Sequence, residues 1–301
     1  MTLGQWKRVL VRTWDDIMNN HTMSFAAGLS YYFVLSLFPA LIALATIVAL
    51  LPIPNLFEEI LTLMARFVPP DSMGLVRTIV SDVIKPNKGA LLSFGLLGAL
   101  WTVSSGFAAM IEGLNIAYDV PETRPIWKTR LLAMGLSFVI GSMFLVALVA
   151  MILGPQFGAW LAAKLHLSQA FAIAWPAMRW GIIIAFVVLA IELLYFLAPN
   201  VKQRFRCTLY GALTSIGAWV GLTYLLGLYL RNFADYNKTY GTLGAAVVLM
   251  VWLYWSGFAI LIGAELNSEI LQVTGDGRLP LKQAPPKAVT PKPATESDLA
   301  A

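Results

Sequence analysis

Three glutamates stand where an apolar sequence has little use for charge. Glu112, Glu192 and Glu265 each lie near the end of a long hydrophobic run, and an asparagine follows each: Asn115, Asn200 and Asn267. A carboxylate close to a helix C-terminus opposes the helix dipole, so local helix physics does not favour the placement. Glu192 is the deepest, about 9 Å before the end of its run at 1.5 Å per residue. An ionisable group at that depth is a candidate for function by default. If the three carboxylates converge, they form a vestibule at one membrane face that handles a proton, a cation or a lipid headgroup. The alternative is structural: Glu112 and Glu265 sit at headgroup level and pair with Arg124, Arg130, Arg204 or Arg206.

A second group precedes a proline. Ser30, Tyr31, Tyr32 and Ser36 form a polar patch just before Pro39. Proline removes one helix hydrogen bond and crowds the carbonyl four residues back, so a kink or break in mid-run is expected. Broken helices build transporter sites because freed backbone groups line a cavity. The plain reading is a kink satisfied by Ser36 and a neighbouring helix. A third group, Tyr229, Arg231, Asp235, Tyr236, Lys238 and Tyr240, makes a polar, aromatic turn. It is either an interfacial belt or an outer-face site. Trp101, Trp219, Trp252, Tyr254 and Trp255 divide in the same way, into interfacial anchors or cavity lining.

The elements that hold these residues follow from composition. Of 301 residues, 58% are hydrophobic and 12% charged, with mean hydropathy +0.73. Soluble proteins carry about twice that charge, so a soluble globule is excluded and an integral membrane protein is expected. Six runs are long enough to cross a ~30 Å hydrocarbon layer as helices. They cover 24–51, 90–111, 131–153, 178–198, 208–230 and 242–266. The expected fold is all-α, a polytopic bundle of six transmembrane helices with amphipathic helices on its outer face. Thirteen of the 21 Lys and Arg fall on one side if the N-terminus is inside, and the Lys202–Arg206 connection holds three of them. Both termini are therefore expected in the cytoplasm, with residues 1–23 as a cytoplasmic lead-in.

Between the first two runs, apolar residues keep helical spacing over 56–68 and again over 72–84. This predicts two amphipathic helices that lie on the outer face or lid the bundle. Phe157, Trp160, Leu161, Leu165 and Phe171 predict a smaller version between the third and fourth runs. Residues 271–301, rich in Pro and Lys, are expected to be a disordered cytoplasmic tail. Gly217-x-x-x-Gly221, with Gly211 and Ser215 before it, and Ser137-x-x-x-Gly141 predict close helix approach, within the chain or between copies.

Catalytic signatures are missing. The sequence has one cysteine, Cys207, and two histidines, His21 and His166. No disulfide or zinc-type cluster can be assembled from them. There is no P-loop, nucleotide-binding glycine motif, nucleophile elbow or zinc-protease helix. Neither an enzyme nor a metal or other cofactor is expected.

Phe25-Ala26-Ala27-Gly28-Leu29-Ser30-Tyr31-Tyr32-Phe33, continuing through Leu35-Ser36-Leu37-Phe38-Pro39, resembles the first span of the YihY/virulence factor BrkB family. Trp101 with Ser104-Ser105, Asn115, Ala117 and Tyr118, then Pro199-Asn200, Gly211-Ala212 with Trp219, and Tyr240-Gly241 continue the resemblance in order. Trp252-Leu253-Tyr254 and Gly263-Ala264-Glu265-Leu266-Asn267 close it. The resemblance implies a six-span bacterial inner-membrane protein, in a family whose older ribonuclease label is regarded as a misassignment. It also implies a part in envelope lipid or lipopolysaccharide-precursor transport, or in envelope integrity. On this reading the chain is a transporter or flippase-like protein for a lipid or another amphiphile. Its polar path would draw on Ser30, Tyr31, Ser36, Pro39, Glu112, Asn115, Glu192, Asn200, Glu265 and Asn267, with Asp235, Tyr236 and Tyr240 at the outer face. The alternatives are a non-transporting envelope scaffold and a proton-linked cation transporter. Partners are membrane lipids and envelope proteins, not nucleic acid.

Overall fold

Backbone N–H and C=O groups inside hydrocarbon have only each other as partners, so long apolar runs wind into helix. The computed structural model describes residues 2–50, 56–65, 68, 70–83, 89–165, 169–233 and 236–275, and among these it has nine helices and no strand. They are α1 (Leu3–Asn19), α2 (Thr22–Leu50), α3 (Leu56–Met64), α4 (Pro70–Val83), α5 (Gly89–Ala117), α6 (Ile126–Leu165), α7 (Gln169–Leu197), α8 (Phe205–Phe233) and α9 (Tyr236–Thr274). Five, α2, α6, α7, α8 and α9, are long and apolar enough to cross a membrane. α5, with 29 residues, covers the second apolar run of the sequence.

The long helices form a closed ring in chain order. α2 packs on α5, α5 on α6, α6 on α7, α7 on α8, α8 on α9, and α9 returns to α2; α5 and α9 also touch across the ring. Leu29, Ile111, Leu114, Tyr118, Leu136, Tyr195 and Leu261 are buried at its centre. Two non-glycine residues with positive φ, His21 (51°) and Asp119 (53°), turn the chain at the foot of α2 and α5. Gly275, at φ 68°, ends α9 with its N–H on the Leu271 carbonyl. This is the left-handed C-terminal stop that glycine adopts without steric cost. We call this end of the ring the base.

Two shorter helices, α3 and α4, lie between α2 and α5. α4 starts on Pro70 itself, where a missing N–H costs nothing. Leu61, Val68, Met73 and Val76 are buried against Leu41, with Leu37 and Trp252 alongside, and Ser72 donates to the Ala245 carbonyl at 3.1 Å. Glu58, Glu59, Arg77 and Thr78 face outward. The pair thus lids the far ends of α2 and α9.

α2 continues through Pro39 without a break, in keeping with the plain reading of a proline turn satisfied by Ser36 and a neighbouring helix. Just before Pro39, Ser36 donates to Tyr32 O at 2.7 Å and lies 3.3 Å from Thr102 O of α5, which ties the weakened turn to its neighbour. No separate amphipathic pair follows the third run: α6 continues to Leu165 and α7 begins at Gln169. The aromatics there pack between the two helices, with Phe157 on Trp160 and on Trp175, and Trp175 Nε1 donates to Gly154 O at 2.7 Å. Both ends of α6 carry a lysine over a tryptophan ring, Lys128 over Trp127 and Lys164 over Trp160. The N-terminal lead-in is itself a helix, α1, opened by a reciprocal Thr2–Gln5 capping box. Residues 276–301, expected as a tail, lie outside the described residues.

The small residues also divide differently. Gly217, Gly221 and Gly141 face open space, while Gly211 and Gly263 bring α8 and α9 into backbone contact. A Cβ on Gly263 would meet Gly211 O and Tyr195 Oη at 2.5 Å and Ser215 Cβ at 2.9 Å. Neither helix backbone can yield locally, so Gly263→Ala is expected to cost about 1–3 kcal/mol, the usual range for overpacking. Gly217→Ala is expected to leave stability unchanged or raised, because the new methyl meets nothing. Thermal unfolding of the two variants in one detergent checks the contrast.

Candidate functional site

The sequence-predicted residues fall into separate groups at the base instead of one path. The first joins α9 to the α1–α2 corner. Glu265 is buried and accepts from Asn20 Nδ2 at 3.2 and 3.3 Å and from Thr22 Oγ1 at 3.0 Å. Its partners are neutral amide and hydroxyl donors, not the arginines considered from sequence. One turn on, buried Glu269 lies 3.8 Å from Arg12 of α1. The i, i+4 spacing of the two glutamates places both on the α9 face that α1 covers.

The second group clamps α8. Asn267, fully buried, accepts from Gly211 N at 2.7 Å and donates to Thr208 O at 3.1 Å. An amide side chain suits this position because it carries an acceptor and a donor on one planar group. Thr208 Oγ1 lies 3.5 Å from Glu192 Oε1, yet it also donates to Phe205 O at 2.6 Å. A hydroxyl has one proton, and the shorter contact takes it. Glu192 is buried and is therefore the least compensated of the three sequence-predicted carboxyls.

The third group locks two connections together. Asn115 Nδ2 donates to Glu122 Oε2 at 2.9 Å, and Asn115 Oδ1 accepts from Asn200 N at 2.7 Å. Asn200 Nδ2 reaches Pro121 O and Thr123 Oγ1. Arg124 grips Glu122 through Nε at 2.8 Å and Nη2 at 2.6 Å, and Nη2 also donates to Ala198 O. Burial alone would raise the Glu122 carboxyl, but the bonds from Arg124 and Asn115 outweigh it and hold the group below the usual carboxylate range. Beside this lock, burial pushes the Tyr118 phenol above its ordinary value. Sequence reasoning missed Glu122 and offered Arg124 only as a partner of Glu112 or Glu265; the signal was an acid–base pair two residues apart on a short connection.

Glu112 stands alone. It is exposed and lines a groove of about 270 Å³ between α2 and α5 with Ser24, Phe25, Gly28, Leu29, Tyr32 and Ala109. Glu112, Glu192 and Glu265 thus face α2, α8 and the α1–α2 corner in turn, so no common vestibule forms. The proline patch is dispersed too. Ser30 is buried on its own Ala27 carbonyl, Tyr31 is exposed, and Ser36 borders an apolar cavity of about 210 Å³ that reaches Ala40. Asp235 and the side chains of Tyr236 and Tyr240 lie outside the described residues. Trp219 and Trp252 are not interfacial anchors. Trp219 donates to Ser256 and Trp252 to Thr223, which joins α8 to α9.

A lateral groove was not foreseen. About 560 Å³ opens sideways between α6 and α7, lined by Leu131, Leu132, Leu136, Val139, Leu193 and Leu197, with Trp127 and Lys128 at its base end. Gly135 sits in its wall with nothing near the position of an added Cβ. From Trp127 to Val139 the groove follows α6 for about 18 Å. Glu192 lies behind it, one residue from Leu193.

Two outcomes test the base network. Asn267→Leu removes two bonds between α9 and the backbone of α8 and is expected to lower stability by about 1–3 kcal/mol, read by thermal unfolding in detergent. The Glu122 contribution is present above the unfolded carboxyl pKa near 4.3 and is lost as pH falls through the lower folded value. Wild type should exceed Glu122→Gln by about 1 kcal/mol at pH 7, and the gap should close towards pH 3.

The profile of the family described as Virulence factor BrkB matches residues 13–288. The chain is 36% identical over 243 residues to the ribonuclease-like protein YfkH of Bacillus subtilis, covering 81% of this chain and 88% of that one. It is 28% identical over 292 residues to a UPF0761 membrane protein of Xanthomonas campestris, covering 89% of this chain and 64% of the relative. A UPF0761 membrane protein of Stenotrophomonas maltophilia is 26% identical over 270 residues, 85% of this chain and 59% of the relative. The chain thus spans less than two thirds of these longer membrane relatives. No solved structure matches it.

Proposed function

The chain belongs to the virulence factor BrkB family, and from that premise we propose that it moves an anionic amphiphile, a lipid or lipid-like molecule, along its α6–α7 face. The lateral groove carries this reading. An apolar trough about 18 Å long suits an acyl chain, and Lys128 at its mouth suits an acidic headgroup. A groove open to the side admits cargo from the bilayer without an aqueous path. Buried Glu192 behind its wall is the charged group whose state would bias the α7–α8 contact during transport.

We take α5 as a sixth span, since it sits in the ring between α2 and α6. We take the base as cytoplasmic and the membrane as the bacterial inner membrane. Lys7, Arg8, Arg12, Arg124, Lys128, Arg130, Lys202, Arg204 and Arg206 all belong to segments at the base, which agrees with the positive-inside rule. We read the chain as a carrier, not an enzyme, and the word ribonuclease stays with YfkH. Membrane lipids are its proposed partners.

One observation favours a second reading, a non-transporting envelope scaffold: Ser30, Glu192 and Glu265 are all buried within the protein. Purified protein in vesicles, assayed for movement of a fluorescent anionic lipid between leaflets, separates the two. Gly135→Phe, whose Cβ would meet nothing within 4 Å, puts a ring into the groove and is expected to slow transfer at least about tenfold, roughly 1.4 kcal/mol in the barrier. Gly181→Phe, on the open face of α7, is the matched control and should leave the rate unchanged. Glu192→Gln should slow transfer while leaving lipid binding intact. Wild-type vesicles no faster than empty ones would favour the scaffold.

A further inference from the structure

α1 carries one broad apolar arc, and the bundle covers only part of it. Val9 packs on Leu266 and Ile270 of α9, and Ile17 reaches the central core. The uncovered part carries Leu3 at 89% exposure, Leu10 at 59%, Val11 at 53%, Trp14 at 62% and Met18 at 45%. Positions 3, 10 and 14, and 11 and 18, recur at the seven- and four-residue spacings that align along one side of a helix. Lys7, Arg8 and Arg12 are exposed beside them.

The depth of α1 comes from its contacts. At its C-terminal end Asn20 holds Glu265. Near its start, Trp6 meets the ring of Tyr210 edge-on at 5.6 Å. Tyr210 is itself exposed and precedes Gly211, which Asn267 holds. α1 therefore crosses the base at the level of the first turns of α8, where its outer face continues the lipid-facing surface of the ring. The chain then turns at His21 and enters α2, a candidate span.

We infer that α1 is an in-plane membrane helix whose Leu3–Leu10–Trp14–Met18 face docks into an anionic lipid surface, with Lys7 and Arg8 on the headgroups. A helix with large apolar side chains on one side and basic residues flanking them binds membranes by burial and by attraction to acidic lipid together. Through Asn20–Glu265 and Arg12–Glu269, the docked helix is fastened to α9. This inference is independent of the α6–α7 groove and of any transport.

The sole native cysteine makes a direct test possible. Full-length Cys207→Ser protein carrying one new cysteine at Leu10, Trp14, Met18, Arg8 or Asp15 is labelled with a fluorophore. It is then reconstituted into phosphatidylcholine vesicles with or without phosphatidylglycerol. With phosphatidylglycerol, acyl-chain nitroxide should quench labels at 10, 14 and 18 at least about threefold more than labels at 8 and 15, and aqueous iodide should do the reverse. Removing phosphatidylglycerol, or combining Lys7→Gln with Met18→Cys, should weaken the lipid quenching. Equal quenching at all five positions would overturn the inference. So would shielding of 10, 14 and 18 from both quenchers, which would mean that a second copy covers the face, or quenching indifferent to phosphatidylglycerol.

Discussion

The base of the ring depends on α8 and α9 lying close enough for their backbones to touch. Gly211 and Gly263 permit that approach, and Asn267 turns it into a bonded contact by answering one N–H and one C=O of α8. Lipid supplies no hydrophobic force to drive helices together, so packing and interhelical hydrogen bonds must do it. Once α9 is fixed against α8, its next turn presents Glu265 and Glu269 to α1, and Tyr195 of α7 reaches the Ile260 carbonyl at 2.6 Å. One contact between two helices thus sets the position of α1, α7 and the foot of α2.

The charges at the base are used sparingly. Glu122 and Arg124 neutralise each other on a connection, and Asn115 and Asn200 spread that pair across two loops. Glu265 is held by neutral donors, and Glu192 has a single long contact. Compensation therefore falls from the loops towards the interior, although the cost of an unpaired charge rises in the same direction. Arg130 shows another solution to that cost: its guanidinium lies 4.1 Å from the Trp101 ring centroid and donates to Trp101 O and Ser105 Oγ.

The long helices were legible because length and apolarity alone specify them. Their rotation was not. A membrane helix apolar all round carries no periodicity that distinguishes the inner face from the lipid face, so Ser30 could not be separated from Tyr31, nor Gly211 from Gly217. Glu112 and Glu265 looked equivalent for the same reason. Each sits near a helix end with an asparagine after it, and only the tertiary phase separates the exposed Glu112 from the buried Glu265. α1 was hidden in another way: its inward face mixes Val9 and Ile17 with Thr13 and Asp16, and its outward apolar residues are interleaved with charges.

The lysine–tryptophan pairs at the two ends of α6 have a geometric consequence. Trp127 and Trp160 are 33 positions apart in a single helix, about 50 Å at 1.5 Å per residue. Amphipathic side chains of this kind settle at headgroup level, and the bilayer including its headgroups measures about 40–45 Å. An upright α6 would leave one pair stranded in water. Both are accommodated when the helix leans about 30° from the bilayer normal, within the ordinary range of tilts. α6 is thus a ruler whose own anchors set its inclination, and a thinner membrane would lay it flatter.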